Sequence, residues 1–163
     1  MKTLMVIFMT NMKGLLTAVL VGFALVSCTQ KHSEDIETPA PSIVPGSPEE
    51  FAQSVANTIY FGFDRYNLTP EAEQVLGQVV NWLNMYNSRN VIVEGHTDKR
   101  GTKEYNIGLG SRRAESVKKF LADRGVDSNR ISTISYGKEM PVTESETEEG
   151  HALNRRAHLG IAQ

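Results

Sequence analysis

The stretch NVIVEGHTDKRGTKEYNIGLGSRRAESVKKFL, residues 90–121, joins a strand pattern to a helix pattern through a charged turn. Its VIVEG segment is short and mostly apolar, which is typical of a buried strand. From residue 102 to about residue 124 the apolar side chains recur at helical spacing, and Gly125 favours a left-handed cap after that helix. The turn between them, which holds His96 and Asp98, is therefore a candidate functional site.

The segment before this stretch predicts one more strand and one more helix. Residues 57–63 alternate in polarity, with Ile59, Phe61 and Phe63 on one face, which indicates a half-buried strand. Residues 68–86 carry a single apolar stripe, and the Thr-Pro pair near their start is typical of a helix N-terminus.

The segment after it predicts two further strands, RISTISY at residues 130–136 and RRAHLGI at residues 155–161, with a loop or a short helix between them. The order is therefore β-α-β-α-β-(α)-β. Strand-helix-strand units favour parallel neighbours, whereas the last strand can run in either direction. We therefore expect an α+β fold, with a mixed four-stranded sheet and helices packed on one face.

The overall composition narrows the class of protein. The chain has 163 residues, enough for one domain with accessory segments. Its formal net charge of -2 argues against a broad nucleic-acid-binding surface, which needs a clear excess of basic residues. Cys28 is the only cysteine in the sequence, so no internal disulfide can stabilise the fold.

The N-terminus carries an export pattern. Residues 15–26 are apolar and follow Lys13, a length that suits a signal peptide but is short of the ~20 apolar residues of a membrane-spanning helix. A spanning helix that began further upstream would bury Lys13 in the membrane, at a cost of roughly 3 kcal/mol. Because the signal is complete from Met12 onward, translation can start at either Met1 or Met12.

A lipid attachment site follows the apolar run. The tetrapeptide Leu-Val-Ser-Cys that ends at Cys28 resembles a bacterial lipobox, which implies cleavage before Cys28 and acylation of its thiol. Thr29 stands where aspartate would imply retention in the inner membrane, so sorting to the outer membrane is expected. The residues that follow are rich in Pro, Ser, Thr and Glu and predict a tether. The expected organisation is a signal peptide at 1–27, the lipidated cysteine and flexible tether at 28–50, and a folded domain at 51–163.

The two arginines inside the second helix occupy different rows. Arg112 belongs to the solvent face, where Glu115 is a plausible ion-pair partner. Arg113 lies on the shoulder of the apolar stripe, so its guanidinium should be partly desolvated and require an anion. Asp98, in a turn expected to be exposed, is the nearest candidate. The two charges either form a structural ion pair or face an open groove that takes a ligand bearing both charges.

The residues of the same turn also have to be considered as metal ligands or catalytic groups. His96 and Asp98 offer only two ligands, and His151 and His158 are far away in the sequence, so no tetrahedral metal set is indicated. The spacing of Gly95 and neighbouring glycines matches neither a nucleophile elbow nor a phosphate-binding loop. We therefore expect no metal, no cofactor and no catalytic residue.

Three motifs carry a resemblance to a known family. VEGHTDKRGTKEYNIGLGSRRAESVKKFL, IYFGFDRYNLTPEA and the closing NRRA closely resemble the OmpA-like peptidoglycan-binding domain family, over about residues 58–161. The lipobox and tether match the lipoprotein layout within that family, rather than the barrel of porins or the membrane helix of flagellar stators. Two departures are that Gly62 stands where many relatives have aspartate, and that the closing HLGIAQ is less typical.

The resemblance implies a ligand and its contacts. In the family, the aspartate of the HTD turn and the second arginine of the RRA motif hold diaminopimelate in the peptide stem of peptidoglycan, and these residues are Asp98 and Arg113 here. Asp98 would pair with the ammonium of the ligand, and Arg113 with its carboxylate through a bidentate fork. A lysine-type stem lacks that carboxylate, so the site would reject it.

Further site residues follow from the same resemblance. Phe63 and Asp64 correspond to the other wall of the family's pocket, and Asn106 to the asparagine that holds the turn and the helix together. Asn154 and Arg155 match the family's motif at the start of the last strand. For this pair, contact with the ligand and a purely structural role in fixing a loop both stay open.

The implied function is that of a binding protein without enzymatic activity. The resemblance implies an outer-membrane lipoprotein that faces the periplasm, binds peptidoglycan non-covalently and tethers the outer membrane to the cell wall. It further implies a place in a Tol-Pal system for envelope integrity and cell division, with outer-membrane lipid, TolB-like and TolA-like proteins as partners. Two other functions stay open: a periplasmic hydrolase of cell-wall peptides and a surface-exposed lipoprotein adhesin.

Overall fold

The structure, a computed structural model, describes residues 43–162. The predicted signal peptide, the lipidation site at Cys28 and most of the predicted tether lie outside the described residues. Within residues 43–162, none of the helices combines the length and the apolar character that a membrane crossing requires.

One mixed sheet of four strands organises the described residues. The strands are β1 (Thr58–Tyr60), β2 (Val91–His96), β3 (Ile131–Gly137) and β4 (Arg156–Ile161), in the spatial order β1-β4-β2-β3. β2 and β3 are parallel, whereas β4 lies antiparallel to both β1 and β2. The helices are α1 (Pro48–Ser54), α2 (Pro70–Met85), α3 (Lys103–Asp123) and α4 (Glu148–Asn154), and a short 3-10 turn covers Ser128–Arg130. The α+β class and the mixed four-stranded sheet are as predicted.

The two long helices begin and end where the sequence predicts. Thr69 caps α2 by accepting a hydrogen bond from the backbone N–H of Ala72 at 3.2 Å, and Thr102 caps α3 in the same way. A threonine oxygen at this position satisfies a backbone donor that the first helical turn leaves without a partner. After α3, Gly125 has a φ of +94°, the left-handed conformation expected there.

The core lies between the helices and one face of the sheet. Every second residue of the central strands points into it, and Val91, Val93 and Leu159 are fully buried there. On the opposite face Tyr60 and Ile134 are exposed, so the helices cover one side of the sheet as expected.

The first strand is shorter than predicted, and the expected position of Phe63 on its buried face is wrong. Ile59 and Phe61 are buried, but 59% of the surface of Phe63 is exposed. β1 ends at Tyr60, and the chain then turns, with Asp64 in the left-handed region at a φ of +54°. Because the turn breaks the two-residue alternation, Phe63 projects from a loop.

An additional helix, α1, begins before the predicted start of the domain and runs across it. The assignment of residues 47–50 to a flexible tether is not what the structure shows, because Ser47 caps α1 and helix formation starts at Pro48. The ring of Phe51 packs edge-on against Trp82 at a centroid distance of 4.8 Å, and Glu50 accepts a hydrogen bond from the indole Nε1 at 2.6 Å. The Ser-Pro-Glu-Glu sequence is itself a helix start signal, and Phe51 fixes the helix to the core.

α3 lies unusually close to β2. A Cβ atom added at Gly95 would stand 1.9 Å from the carbonyl oxygen of Gly110, so only glycine at both positions permits this approach. The close contact brings the N-terminal half of α3 beside the turn that leaves β2.

Candidate ligand-binding site

A pocket of about 170 Å³ lies where the loop after β1 meets the turn between β2 and α3. Five of the residues that the sequence predicts for a ligand site line it together, namely Phe63, Asp64, Asp98, Asn106 and Arg113. The remaining lining residues are Thr97, Arg100, Gly101, Tyr105 and Leu109.

Arg113 is the largest fully buried side chain that borders this pocket. Its guanidinium donates hydrogen bonds to three backbone carbonyl oxygens, those of Arg65 at 2.8 Å, His96 at 2.7 Å and Gly62 at 3.2 Å. A guanidinium has five N–H groups, so two remain after these three bonds. Burial lowers the pKa of Arg113 to about 10, which still leaves it charged at neutral pH.

The predicted contrast between the two arginines is confirmed. Arg112 is exposed and lies near the rings of Tyr66 and Tyr105, at 5.6 Å and 5.9 Å from their centroids. The predicted ion pair between Arg112 and Glu115 does not form, because the Glu115 carboxylate instead accepts a hydrogen bond from Thr133 at 2.6 Å.

Asp98 is not in an exposed turn, contrary to expectation, since only 4% of its surface is accessible. Its Oδ2 atom pairs with the guanidinium of Arg100 at 2.5 Å and with that of Arg155 at 3.4 Å, and its Oδ1 accepts the Arg100 backbone N–H. Burial raises the pKa of Asp98, but the hydrogen bonds and charge of Arg100, with a further bond from Arg155, lower it below its usual value.

Of the two arrangements that the sequence suggested, the structure excludes the structural ion pair and places both charges on one pocket. Within residues 43–162, Asp98 and Arg113 form no ion pair with each other, and no carboxylate lies within 4.0 Å of the Arg113 guanidinium. Both line one pocket, where carbonyl oxygens hold Arg113 and other arginines hold Asp98. Arg113 thus contributes a buried positive charge whose counter-ion is not a neighbouring carboxylate.

A second carboxylate joins the arginines around Asp98. Glu148 contacts Arg155 at 2.8 Å and Arg100 at 3.3 Å, so both arginines are shared between Glu148 and Asp98. The sequence reasoning missed Arg100 and Glu148. Arg100 was visible as a second cation inside the quoted turn, but no sequence signal connects that turn to Glu148 on α4.

Three predicted residues fix the elements around the pocket, and of these only Asn106 also lines it. Asn106 is buried, and its side-chain amide donates to the carbonyl oxygens of Arg100 and Thr102, which fixes the turn onto α3. Asn154 and Arg155 do not line the pocket. The side chain of Asn154 binds backbone groups of residues 142–143, and the Nε of Arg155 donates to the Phe61 carbonyl oxygen at 3.1 Å.

The outer wall of the pocket is formed by two contacts between its sides. The hydroxyl of Tyr105 donates to the Asp64 carboxylate, and this bond raises the pKa of Tyr105. The guanidinium of Arg100 stacks over the ring of Phe63, 4.3 Å from its centroid. A planar cation over an aromatic face is favourable, and here it connects the turn before α3 with the loop after β1.

His96 stands apart from the pocket except through its backbone. Its carbonyl oxygen accepts a bond from Arg113, but its ring lies near that of Tyr136, 5.4 Å between centroids. Both ring nitrogens are buried without a hydrogen-bond partner among the described residues. In residues 43–162, no three side chains of His, Cys, Asp or Glu gather into a group that could hold a metal ion.

Comparison with known proteins places these features in a family context. The sequence pattern of the OmpA family matches residues 60–155. The chain is 42% identical to the peptidoglycan-associated lipoprotein of Haemophilus influenzae, over 90% of this chain and 95% of that protein. It is 38% identical to the peptidoglycan-associated lipoprotein of Brucella melitensis, over 86% of each.

Solved structures show the same fold. The crystal structure of the peptidoglycan-associated lipoprotein from Burkholderia pseudomallei superposes with a TM-score of 0.65 at 36% identity, and the match covers 72% of this chain and 96% of that one. The cell wall anchor of the type VI secretion system from Pseudomonas aeruginosa gives a TM-score of 0.57 at 26% identity, with coverage of 69% and 91%.

Proposed function

The chain belongs to the OmpA family, and from this premise we propose that it is a lipid-anchored protein that binds peptidoglycan non-covalently and tethers the outer membrane to the cell wall. The similarity supports this proposal because it extends over 95% of a relative that is named for its association with peptidoglycan. No catalytic role is part of the proposal.

The proposed ligand is the diaminopimelate of the peptide stem. Its free end carries an ammonium and a carboxylate on one carbon, so it needs an anion and a cation on two sides of a small pocket. Asp98 and Arg113 supply these two charges in the proposal, and Phe63 and Asp64 line the same pocket. Asn106, Asn154 and Arg155 act in this proposal by fixing the turn and the loops around the pocket.

The observation that carries the proposal is the state of Arg113. A buried guanidinium needs an anion or a full set of acceptors, and this one lines the pocket with three of its five N–H groups bonded to carbonyl oxygens. A carboxylate would satisfy both remaining N–H groups and neutralise the charge. A lysine-type stem brings no carboxylate to this position, and it would leave the buried cation without that partner.

The anchoring half of the proposal rests on the sequence. The lipobox implies that Cys28 carries acyl chains, and the residues that follow it give the domain reach from the membrane to the wall. We place the domain in the periplasm, attached to the outer membrane, within a Tol-Pal system in which TolB-like and TolA-like proteins are partners.

The test is a sacculus pull-down with the full-length protein and three variants. Arg113→Lys keeps the charge but loses the planar fork, so binding to diaminopimelate-containing sacculi should be lost. Arg112→Lys, the matched control one residue earlier, should bind like the wild type. Free meso-diaminopimelate should compete with the sacculi, and a variant chain that begins at Thr29, without the signal segment and Cys28, should bind sacculi but no longer connect them to outer-membrane vesicles.

Three results would contradict the proposal. Wild-type protein that stays in the supernatant would exclude wall binding, and equal binding to lysine-type sacculi would exclude diaminopimelate as the recognised group. Release of soluble muropeptides during the incubation would indicate a hydrolase instead of a tether.

A further inference from the structure

Asp98, the anion that the ammonium of the proposed ligand needs, is already paired with Arg100 of the chain itself. Arg100 follows Asp98 by two residues and reaches back, so that its guanidinium contacts Oδ2 of Asp98 at 2.5 Å. It also lines the pocket, where its guanidinium covers the exposed ring of Phe63. Arg100 therefore stands at the place where the ammonium of a ligand would meet Asp98.

The other arginine at Asp98 is fixed in position. Arg155 is 8% exposed at its side chain, and it is held by the Phe61 carbonyl oxygen and by Glu148 as well as by Asp98. Its contact with Asp98, at 3.4 Å, is the longer of the two. Moving this side chain would uncover the buried Phe61 carbonyl, so Arg155 is a permanent neighbour of Asp98.

Arg100 is held differently. Its side chain is 39% exposed, and within the described residues its guanidinium bonds only to carboxylates, those of Asp98 and Glu148. Water can solvate a guanidinium at this exposure, so the side chain of Arg100 can leave Asp98 without being desolvated, and the incoming ammonium takes its place at the buried carboxylate. Glu148 is already in contact with Arg100 and can retain it when the bond to Asp98 breaks.

We propose that Arg100 is an internal counter-ion which the ligand's ammonium displaces from Asp98, and that Glu148 receives the displaced guanidinium. This inference rests on the proposed function and adds the way in which the site selects its ligand. A ligand with both charges replaces the lost bond at Asp98 and gains a new one at Arg113. A ligand with a carboxylate alone gains only the contact with Arg113 and leaves Arg100 in place. Arg100 therefore increases the preference of the site for ligands that carry both charges.

The first test compares Arg100→Gln with Arg112→Gln, which removes the same charge from an exposed arginine near the pocket. The measurement is an NMR titration of the full-length protein with meso-diaminopimelate and with pimelate, which has the carboxylates but no ammonium. Because the Arg100 side chain is 39% exposed and no longer competes with the ammonium for Asp98 once it is replaced, Arg100→Gln should bind meso-diaminopimelate roughly two- to five-fold more tightly. The change that Arg100→Gln causes in the affinity for pimelate should be no larger than the change that Arg112→Gln causes.

The second test addresses the receiving carboxylate. Glu148→Gln should weaken meso-diaminopimelate binding, because the displaced Arg100 then loses its second acceptor. The neighbouring exposed Glu149→Gln is the control and should have no effect. In the Arg100→Gln background the loss caused by Glu148→Gln should be smaller, since no guanidinium is left to be received there.

The outcomes separate this inference from the proposed function. If neither the wild type nor Arg100→Gln binds meso-diaminopimelate, the proposed function fails. The proposed exchange of Arg100 for the ligand's ammonium at Asp98 then fails with it. If the wild type binds but Arg100→Gln binds equally or more weakly, only the exchange is overturned, and Arg100 is then a ligand contact or a bystander. An equal gain for pimelate would also overturn the exchange, because the gain would not act through the ammonium.

Discussion

At the scale of single residues, His96 should make the stability of the protein depend on pH. Burial lowers its pKa to about 4, helped by the charges of Arg156 and His158, against a backbone contact from Met140 that raises the pKa. The unfolded chain keeps a histidine pKa near ~6.5 and binds the proton first, so the free energy of unfolding falls as the pH drops from about 6.5 to about 4. The loss should be roughly 3 kcal/mol and should level off below the folded pKa.

The measurement is urea unfolding at several pH values for the wild type and His96→Phe. The phenylalanine ring fills the same buried space and carries no unpaired nitrogen, so the variant should be as stable as the wild type near neutral pH or slightly more so. Its stability should vary much less between pH ~6.5 and ~4. Parallel curves for the two proteins would show that His96 is not the titrating group.

Arg113 should matter for folding as well as for binding. Arg113→Ala would leave three buried carbonyl oxygens without their donor, so the free energy of unfolding should fall by about 3–5 kcal/mol. Arg112→Ala removes an exposed charge and should change it by less than about 1 kcal/mol. Denaturant unfolding of both variants measures this difference. Equal losses in the free energy of unfolding would contradict the difference in burial between the two arginines.

The sequence could predict the burial of Arg113 but not the partners of Asp98. Helical periodicity fixes which side of α3 faces the core, so the contrast with Arg112 follows from spacing alone. The partners of Asp98 include Arg155, which is 57 residues away and reaches it only because β4 lies beside β2. Local pattern contains no information about such a contact.

At the scale of secondary-structure elements, the approach of β2 and α3 predicts opposite effects for two glycine substitutions. A methyl group at Gly95 would collide with backbone of α3, so Gly95→Ala should lower the free energy of unfolding by about 3 kcal/mol or more. Gly77 lies inside α2 with nothing within 4 Å of an added Cβ, so Gly77→Ala should raise it by about 0.5–1 kcal/mol. Thermal or urea unfolding measures both. An unchanged free energy of unfolding for Gly95→Ala would mean that β2 and α3 can move apart at little cost.

The existence of the main elements could be predicted, and the deviations have identifiable causes. Capping residues and apolar periodicity were sufficient for α2 and α3 because those signals are local. The early end of β1 was missed because the turn at Asp64 has an unusual backbone conformation for a residue other than glycine. α1 was missed because its short Pro- and Glu-rich sequence also has the composition of a tether, and only the contact between Phe51 and Trp82 distinguishes the two.

At the scale of the whole molecule, the lipid anchor is the feature to test first. If the tetrapeptide ending at Cys28 is a lipobox, the mature protein should begin at that residue and carry acyl chains. Cys28→Ser should block cleavage and acylation, so the unprocessed chain should keep its N-terminal segment. Mass spectrometry of the membrane fraction measures both, and an unmodified Cys28 thiol in the mature wild type would contradict the prediction.

The order of the strands has a consequence for when the protein can become active after its synthesis. Within the described residues, β1 pairs only with β4, so the earliest strand has no neighbour until the last one has arrived. A chain whose C-terminal segment is still missing can form α2 and α3, but it lacks β4 and Arg155, which hold β1 and Asp98 in position. Such long-range pairing is slow compared with helix formation. Under the proposed function, a chain that still lacks β4 should therefore not bind the cell wall, and binding should begin only after the last strand has been added.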